Sequence, residues 1–246
     1  MAAFVMAIAG HRVAVTSLFE STRDYCARYL CAGEPEFAVA VSWEDLVHEQ
    51  AALDREAVEE GLRLRRFSDP FLERTAIQRR VAEQLLTRDV LLLHGSLVAV
   101  DGAGYLFTAR CGTGKSTHTR LWRQVFGSRA LMINDDKPFL SLEGSRVMAW
   151  GAPWSGKHGL DTNTCVPLKG ICILERGERN EIRPASAAEA LPMLLHQSTW
   201  PREEGEQARV EVLNRRLAEQ VALWHMRCNR EPEAAAVAWE AMHEAP

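Results

Sequence analysis

Two short runs in the 246-residue chain carry groups that could handle a phosphate together. The first, ARCGTGKST, places Gly112 and Gly114 ahead of Lys115, Ser116 and Thr117. Glycines let consecutive backbone N–H groups turn inward on phosphate oxygens, a lysine neutralises charge, and the hydroxyl after it is placed for a magnesium ion. Cys111, Gly112, Thr113, Gly114, Lys115, Ser116 and Thr117 are therefore the expected phosphate-loop contacts. The second run is INDDKP. Asp135 and Asp136 end the apolar stretch ALMI, nineteen residues after Ser116. Ligands of open α/β sheets gather at the C-terminal ends of strands. One carboxylate there can serve a metal while its neighbour takes the proton of an incoming hydroxyl. Each run alone has a plainer reading, a glycine-rich turn with an accidental GKS and a solvated acidic turn.

The elements that must position these residues are legible around them. GYLFTA supplies a strand before the loop and Thr117–Phe126 a helix after it, the context a Walker A loop needs. Ala109 stands where such a loop normally begins with glycine. That position is the loop entry, so a negative φ is expected there and replacement by glycine should be nearly silent. From Asp89 onward, short apolar runs separated by glycine (VLLL, SLVAV, GYLFTA, ALMIND, RVMAWGAP, GICILER) have the spacing of a sheet. Before them, residues 3–16 predict two strands around a Gly10-His11 turn, 17–31 a helix and 37–42 a strand. A helix capped by Ser42 and Asp45 is expected from Trp43 to about Leu64, and another from Ser68-Asp69-Pro70 to about Thr87. After Pro184, Ser186 and Glu189 predict a capped helix through Gln197, followed by an amphipathic helix over 206–221, the strand ALWHMRC and a last helix opened by Pro232. The change of texture near residue 87 divides the chain into 1–87, a small α/β subdomain, and 88–246, a phosphate-loop domain.

Composition narrows the partners. Twenty-nine basic and 33 acidic residues are interspersed, with a net charge of −4, which argues against nucleic acid and membrane surfaces. The six cysteines form no CxxC pair and no zinc-spaced cluster, so reduced cytoplasmic thiols are expected. The apolar N-terminus lacks a basic flank and suits a hairpin better than a signal peptide. The Arg/Glu-rich helices near 54–66 and 202–220 are expected to be solvated faces, either of which could serve a homo-oligomer or peptide contact.

Three matches in order, His94-Gly95 in LLLHGSLVAV, the loop CGTGKST, and INDDKP, resemble the P-loop kinase domain of HPr kinase/phosphorylase, whose fold is related to the nucleotide domain of phosphoenolpyruvate carboxykinase. The likeness covers roughly residues 89–185. It implies a P-loop kinase domain of that type, with ATP and Mg²⁺ as cofactors and a serine-type hydroxyl on a peptide, protein or metabolite as acceptor. Carried over to this chain, His94 would sit near the γ-phosphate, Lys115 on the phosphates and Ser116 on Mg²⁺, with Asp135 and Asp136 sharing base and metal roles. The preferred division is Asp136 for metal and Asp135 for base. No counterpart of the family's downstream acidic metal residue or its basic phosphorolysis loop is present, so HPr itself as substrate and the reverse reaction are not implied. Similar domains accompany peptide-modifying systems.

The stretch WGAPWSGKHGLDTNT could close over a phosphate or read the acceptor, with Lys157 as a second cation; a polar surface loop is the plain alternative. Trp150 and Trp154 are expected to pack; His118 and Arg120 lie in the helix after the loop, where Arg120 could touch nucleotide or belong to a solvated helix face. Two rival functions fit the same residues: a nucleotide-sensing regulator that transfers nothing, and a carboxykinase-like enzyme acting on a carboxylic acid.

Overall fold

Alternating apolar side chains near the N-terminus fold into a hairpin, β1 (Ala2–Ile8) and β2 (His11–Ser17), paired antiparallel with Ile8 opposite His11. Its turn rests on Ala9 and Gly10, both at positive φ (50° and 85°), as a tight hairpin requires. His11, expected in the turn, is instead the first residue of β2. The computed structural model describes residues 1–59, 61–142, 144 and 146–244, and they form a mixed α/β fold. The chain divides into two units, Met1–Gln84 and Leu85–Pro246.

In the first unit β3 (Phe37–Ala40) adds parallel to β2. The helix expected over 17–31 shrinks to α1 (Glu20–Tyr25) and a 3-10 turn at Ala27–Tyr29, where Cys26 and Tyr29 turn into the core. The α2 helix (Trp43–Glu59) opens on the expected capping box: the Ser42 amide donates to the Asp45 carboxylate (2.9 Å) and the Asp45 amide to the Ser42 hydroxyl (3.4 Å). It stops short of Leu64 because Gly61 enters the left-handed region (φ 66°) and the Leu62 amide closes back on the Ala57 carbonyl. The α3 helix covers Asp69–Leu86.

Among the described residues the second unit holds nine strands in one sheet. They are β4 (Val90–Leu92), β5 (Ser96–Val100), β6 (Ala103–Thr108), β7 (Ala130–Asn134), β8 (Phe139–Ser141), β9 (Met148–Trp150), β10 (Cys165–Arg176), β11 (Glu181–Pro184) and β12 (Ala222–Cys228). The order is β4-β8-β9-β10-β6-β5-β7, with β12 joining β10 and β11 joining β12. Helices α4 (Lys115–Phe126), α5 (Ala187–Gln197), α6 (Glu204–Gln220) and α7 (Glu233–His243) complete it. Alternate side chains of the central strands feed two cores. Leu97, Leu106 and Ile171 pack with Leu194, Leu213 and Leu217, while Val98, Phe107 and Cys172 pack with Trp122, Ala235 and Met242. A sheet covered on both faces explains why these strands read as continuous apolar runs.

Strand direction decides where the polar residues go. Strands β6, β10 and β12 are parallel neighbours, and β5 runs antiparallel to both β6 and β7. The C-terminal ends of β6, β7, β10 and β12 and the N-terminal end of β5 therefore share one edge. No helix among the described residues is long and apolar enough to cross a membrane.

Candidate active site at the sheet edge

Where β6 reaches this edge, Ala109 turns the chain out of the sheet. Its φ is not positive, and its methyl group is fully buried in the second core, so the missing glycine leaves the loop entry unstrained. The left-handed conformations fall at Gly112 (φ 73°) and Gly114 (φ 128°). The α4 helix begins at Lys115, two residues earlier than expected, and no side chain caps it from Gly114. Its first amides thus stay open at the positive end of the helix dipole. Lys115 curls over the loop, Nζ donating to the Ala109 carbonyl at 2.9 Å.

The acidic pair is set by Asn134, the last residue of β7. Its buried side chain accepts from the amides of Asp136 (2.9 Å) and Lys137 (2.6 Å) and donates to the carbonyls of Ala152 (2.8 Å) and Trp154 (3.2 Å). That turn sends the two carboxylates to different partners. Asp135 accepts from the Ser96 hydroxyl at 2.6 Å and is also hydrogen-bonded by Ser116, the hydroxyl that follows Lys115. Ser96 in turn meets Thr119 on α4 at 2.7 Å. Burial raises the Asp135 pKa, and the two hydroxyls offset this only in part. Asp136 lies 3.3 Å from His94 Nε2. Burial alone would raise its pKa too, but the His94 hydrogen bond and the charges of Lys137 and Lys115 outweigh it and hold the carboxyl below its usual value. His94 is pushed down to about 4, chiefly by burial and then by Lys137. At neutral pH it therefore meets Asp136 as a neutral hydrogen-bond donor rather than as an ion pair.

Gly95 ties the His-Gly pair to the acids, its amide donating to the Asp136 carbonyl at 3.0 Å. A Cβ there would come within 2.8 Å of the Leu106 side chain and 3.1 Å of the Phe107 carbonyl, so a larger residue would force both to give way. The segment 151–164 folds back on the same residues. The Asp135 amide donates to the Leu160 carbonyl (3.1 Å), and Gly156 (φ 68°) sits where a Cβ would press on Asp136 at 3.2 Å.

His94, Lys115, Ser116, Asp135 and Asp136 come together at this edge. Cys111 and Gly112 form the exposed crown of the loop, with Thr113, Gly114 and Thr117 partly covered. Lys157 is exposed in a 3-10 turn, Gly156–His158, and its neighbour His158 acts electrostatically on Asp135. Ser155 donates to Asp161 within the buried base of that segment (2.8 Å). Trp150 donates to Ser141 (3.0 Å) and Trp154 packs on Phe139, so both aromatics support the fold. Arg120 is exposed. Three contributors escaped the sequence reading: Ser96, Thr119 and the organising side chain of Asn134. The signals were a polar residue opening the apolar run SLVAV and an Asn before the two acids.

The donors suit Mg²⁺. Ser116 and Asp135 supply hard oxygens side by side, and no group of three His, Cys, Asp or Glu side chains converges among the described residues. Magnesium characteristically takes one or two protein oxygens and completes its shell with phosphates and water.

The family model of the SynChlorMet cassette protein ScmC matches residues 72–230. The chain belongs to the ScmC family. The ScmC match spans all the residues gathered at the edge, from His94 through the loop to Asp136 and the 151–164 segment. No curated protein matches the chain. Among solved structures, the Hpr(Ser) kinase/phosphatase from Coxiella burnetii is similar at 14% identity, over 50% of this chain and 93% of that one, with a TM-score of 0.30.

Proposed function

We propose that the protein is an ATP- and Mg²⁺-dependent kinase of the HPr kinase-like kind, its second unit a P-loop kinase domain, passing the γ-phosphoryl group to a hydroxyl on a peptide, protein or metabolite. The observation that carries the reading is the meeting of Ser116 with Asp135 and of His94 with Asp136, directly beside a helix N-terminus that no side chain caps. Phosphoryl transfer asks a protein mainly for positioning and charge neutralisation. The amides at the start of α4 and the Lys115 ammonium hold the phosphates, and Lys115 exchanges the Ala109 carbonyl for a phosphate oxygen. Ser116 and Asp135 would hold Mg²⁺, which would supply charge neutralisation when bound.

The contact between Ser116 and Asp135 supports Asp135 as the metal-side carboxylate. The contact with neutral His94 supports Asp136 as the group that takes the acceptor proton. This reverses the division expected from the sequence, and it rests on which side chain each acid touches. Lys157, exposed at the rim, is proposed to meet the acceptor or the transferred phosphate.

The test is γ-labelled ATP with purified protein and size-fractionated cell extract. Label should enter an acid-stable peptide or metabolite product only with Mg²⁺ present. Tight Mg-ATP binding with no label transferred from any fraction would sink the kinase and leave a nucleotide sensor.

A further inference from the structure

Beside the phosphate loop, away from the acids, the ends of β10 and β12 enclose a cleft of about 330 Å³. It is lined by Thr113, Gly114 and Thr117 from the loop and α4, by Leu174 and Arg176 from β10, and by Cys228 from β12, with His118 buried at its inner wall. We propose that this cleft receives the nucleoside part, ribose and base, of a nucleoside triphosphate whose phosphates occupy the loop.

The position follows from topology. Strands β6, β10 and β12 are parallel neighbours, so the loops after all three open at the edge where the phosphates are expected. The acids approach from β7 on the other side of β6, and the acceptor must come from there. A nucleotide lying along the edge with its γ-phosphate toward Asp136 therefore directs its nucleoside toward β10 and β12. The cleft is at the small end of ligand pockets, the size class of one nucleoside rather than of a peptide.

Its chemistry fits a heterocycle. Leu174 and Cys228 give apolar walls. Arg176 reaches from β10 to the loop, donating to the carbonyls of Gly112 (2.5 Å) and Thr113 (3.5 Å), which holds a flat guanidinium at the mouth where a base can stack on it. The wall also carries a buried donor. Trp122 Nε1 can only donate, and it lies 3.1 Å from His118 Nε2, so that nitrogen is unprotonated and the hydrogen of neutral His118 is on Nδ1. Nδ1 faces Cys228 Sγ at 3.9 Å, a weak acceptor. The rim is fixed by other means: the Asn229 side chain is occupied with Glu178 and Glu231, and the Gly177 amide donates to the Cys228 carbonyl (2.9 Å).

This proposal rests on the phosphate-loop reading, and two probes separate them. Binding of Mg-ATP and of Mg-tripolyphosphate is measured by calorimetry for the wild type, Cys228→Phe, which fills the cleft, and Arg230→Trp, which crowds its exposed rim. The wild type should bind ATP at least about tenfold more tightly than tripolyphosphate, the difference being what nucleoside burial contributes. At least one variant should lose about tenfold for ATP while keeping tripolyphosphate affinity. A wild type that binds both probes equally, or two variants that show no selective loss of ATP, overturns the nucleoside cleft and leaves the phosphate loop standing. A wild type that binds neither probe removes both.

Discussion

Glu73 in the N-terminal unit is sealed from solvent, and its carboxylate accepts from the Leu18 and Phe19 amides and the Thr22 hydroxyl. Nearby, Asp45 is met by Arg80 at 2.6 Å and Glu49 by Arg79. In the C-terminal unit Asp135 is buried almost as deeply, yet its side chain meets two hydroxyls, and Asp136 meets a neutral imidazole. Both units bury acids, but they finish them in different ways. An acid held by guanidinium groups and backbone amides has given its acceptor capacity to the fold. Hydroxyls and a neutral histidine can rotate or release, so an acid held by them keeps capacity for a metal or a proton. On the proposed reading, the kind of partner rather than the depth separates the two sets: guanidinium or backbone N–H groups meet Glu73, Asp45 and Glu49, alongside the Thr22 and Ser42 hydroxyls.

The sharpest test of the chemical side is Lys115→Ala, which removes the cation closest to the expected phosphates. Turnover should fall by about a thousandfold, the scale of losing one preorganised electrostatic contact, with far-UV circular dichroism unchanged. Undiminished label transfer by this variant would end the phosphate-loop reading. Next come the two acids. Asp135→Asn and Asp136→Asn should each lose at least about a hundredfold in transfer. Only Asp135→Asn should lose Mg²⁺-dependent nucleotide affinity, and the opposite pattern would restore the division expected from sequence. The same exchange on the structural side should look different. Glu73→Gln turns a carboxylate that accepts from two amides and a hydroxyl into a neutral amide, and stability of the N-terminal unit should fall by about 2 kcal/mol with nucleotide affinity unaltered. Denaturation curves and calorimetry on one preparation give both readouts.

Ala109→Gly should separate loop geometry from packing. The backbone needs no glycine there, so nucleotide affinity should stay within about twofold, while loss of a buried methyl lowers stability by about 1 kcal/mol. Silence is thus the expected outcome for binding and not for stability, because the side chain belongs to the core. The smallest effect concerns pH. Burial would raise the Asp45 pKa, but hydrogen bonds from Ser42 and Arg80 and the Arg80 charge outweigh it and hold the carboxyl below its usual value. A folded-state pKa lower than the unfolded one adds stability above about pH 4, which is lost as the pH falls through the folded value. Asp45→Asn should therefore lower the melting temperature at pH 6 and narrow its gap to the wild type at pH 3.

What could be read beforehand was whatever a local pattern encodes. The loop's glycines, the capping boxes at Ser42 and Ser186 and the long strands each follow from spacing within about a dozen residues, and all appear. The short strands β8 and β11 did not show, since FLS and EIRP lack the apolar run that marks the equally short β4 and β9, and they owe their form to neighbours already in the sheet. The helix over 17–31 was overestimated for the reverse reason: tertiary packing of Cys26 and Tyr29 overrode a helical pattern. At the site, residue types could name candidates but not pairings. That Ser116 meets Asp135 rather than Asp136 depends on the turn made by Asn134, and that Ser96 joins them depends on β5 entering the edge where its neighbours leave. His118, placed by the sequence only in the helix after the loop, is buried against Phe107 and Trp122.

Strand β10 has a consequence for the order in which the protein can be made. Its first residues pair with β9, and the rest lie between β6 and β12. The strand that leads into the glycine loop finds one neighbour at once, because β5 reaches β6 through the two-residue turn Asp101-Gly102. Its other neighbour is synthesised some sixty residues later. Until residue 176 has left the ribosome, β6 presents an open row of backbone donors and acceptors along a strongly apolar strand, the kind of edge that recruits wrong partners. The loop residues exist early, but the enclosure that makes them a site is completed late. The growing chain therefore passes through an interval in which its most chemically equipped segment is also its most exposed to misassembly.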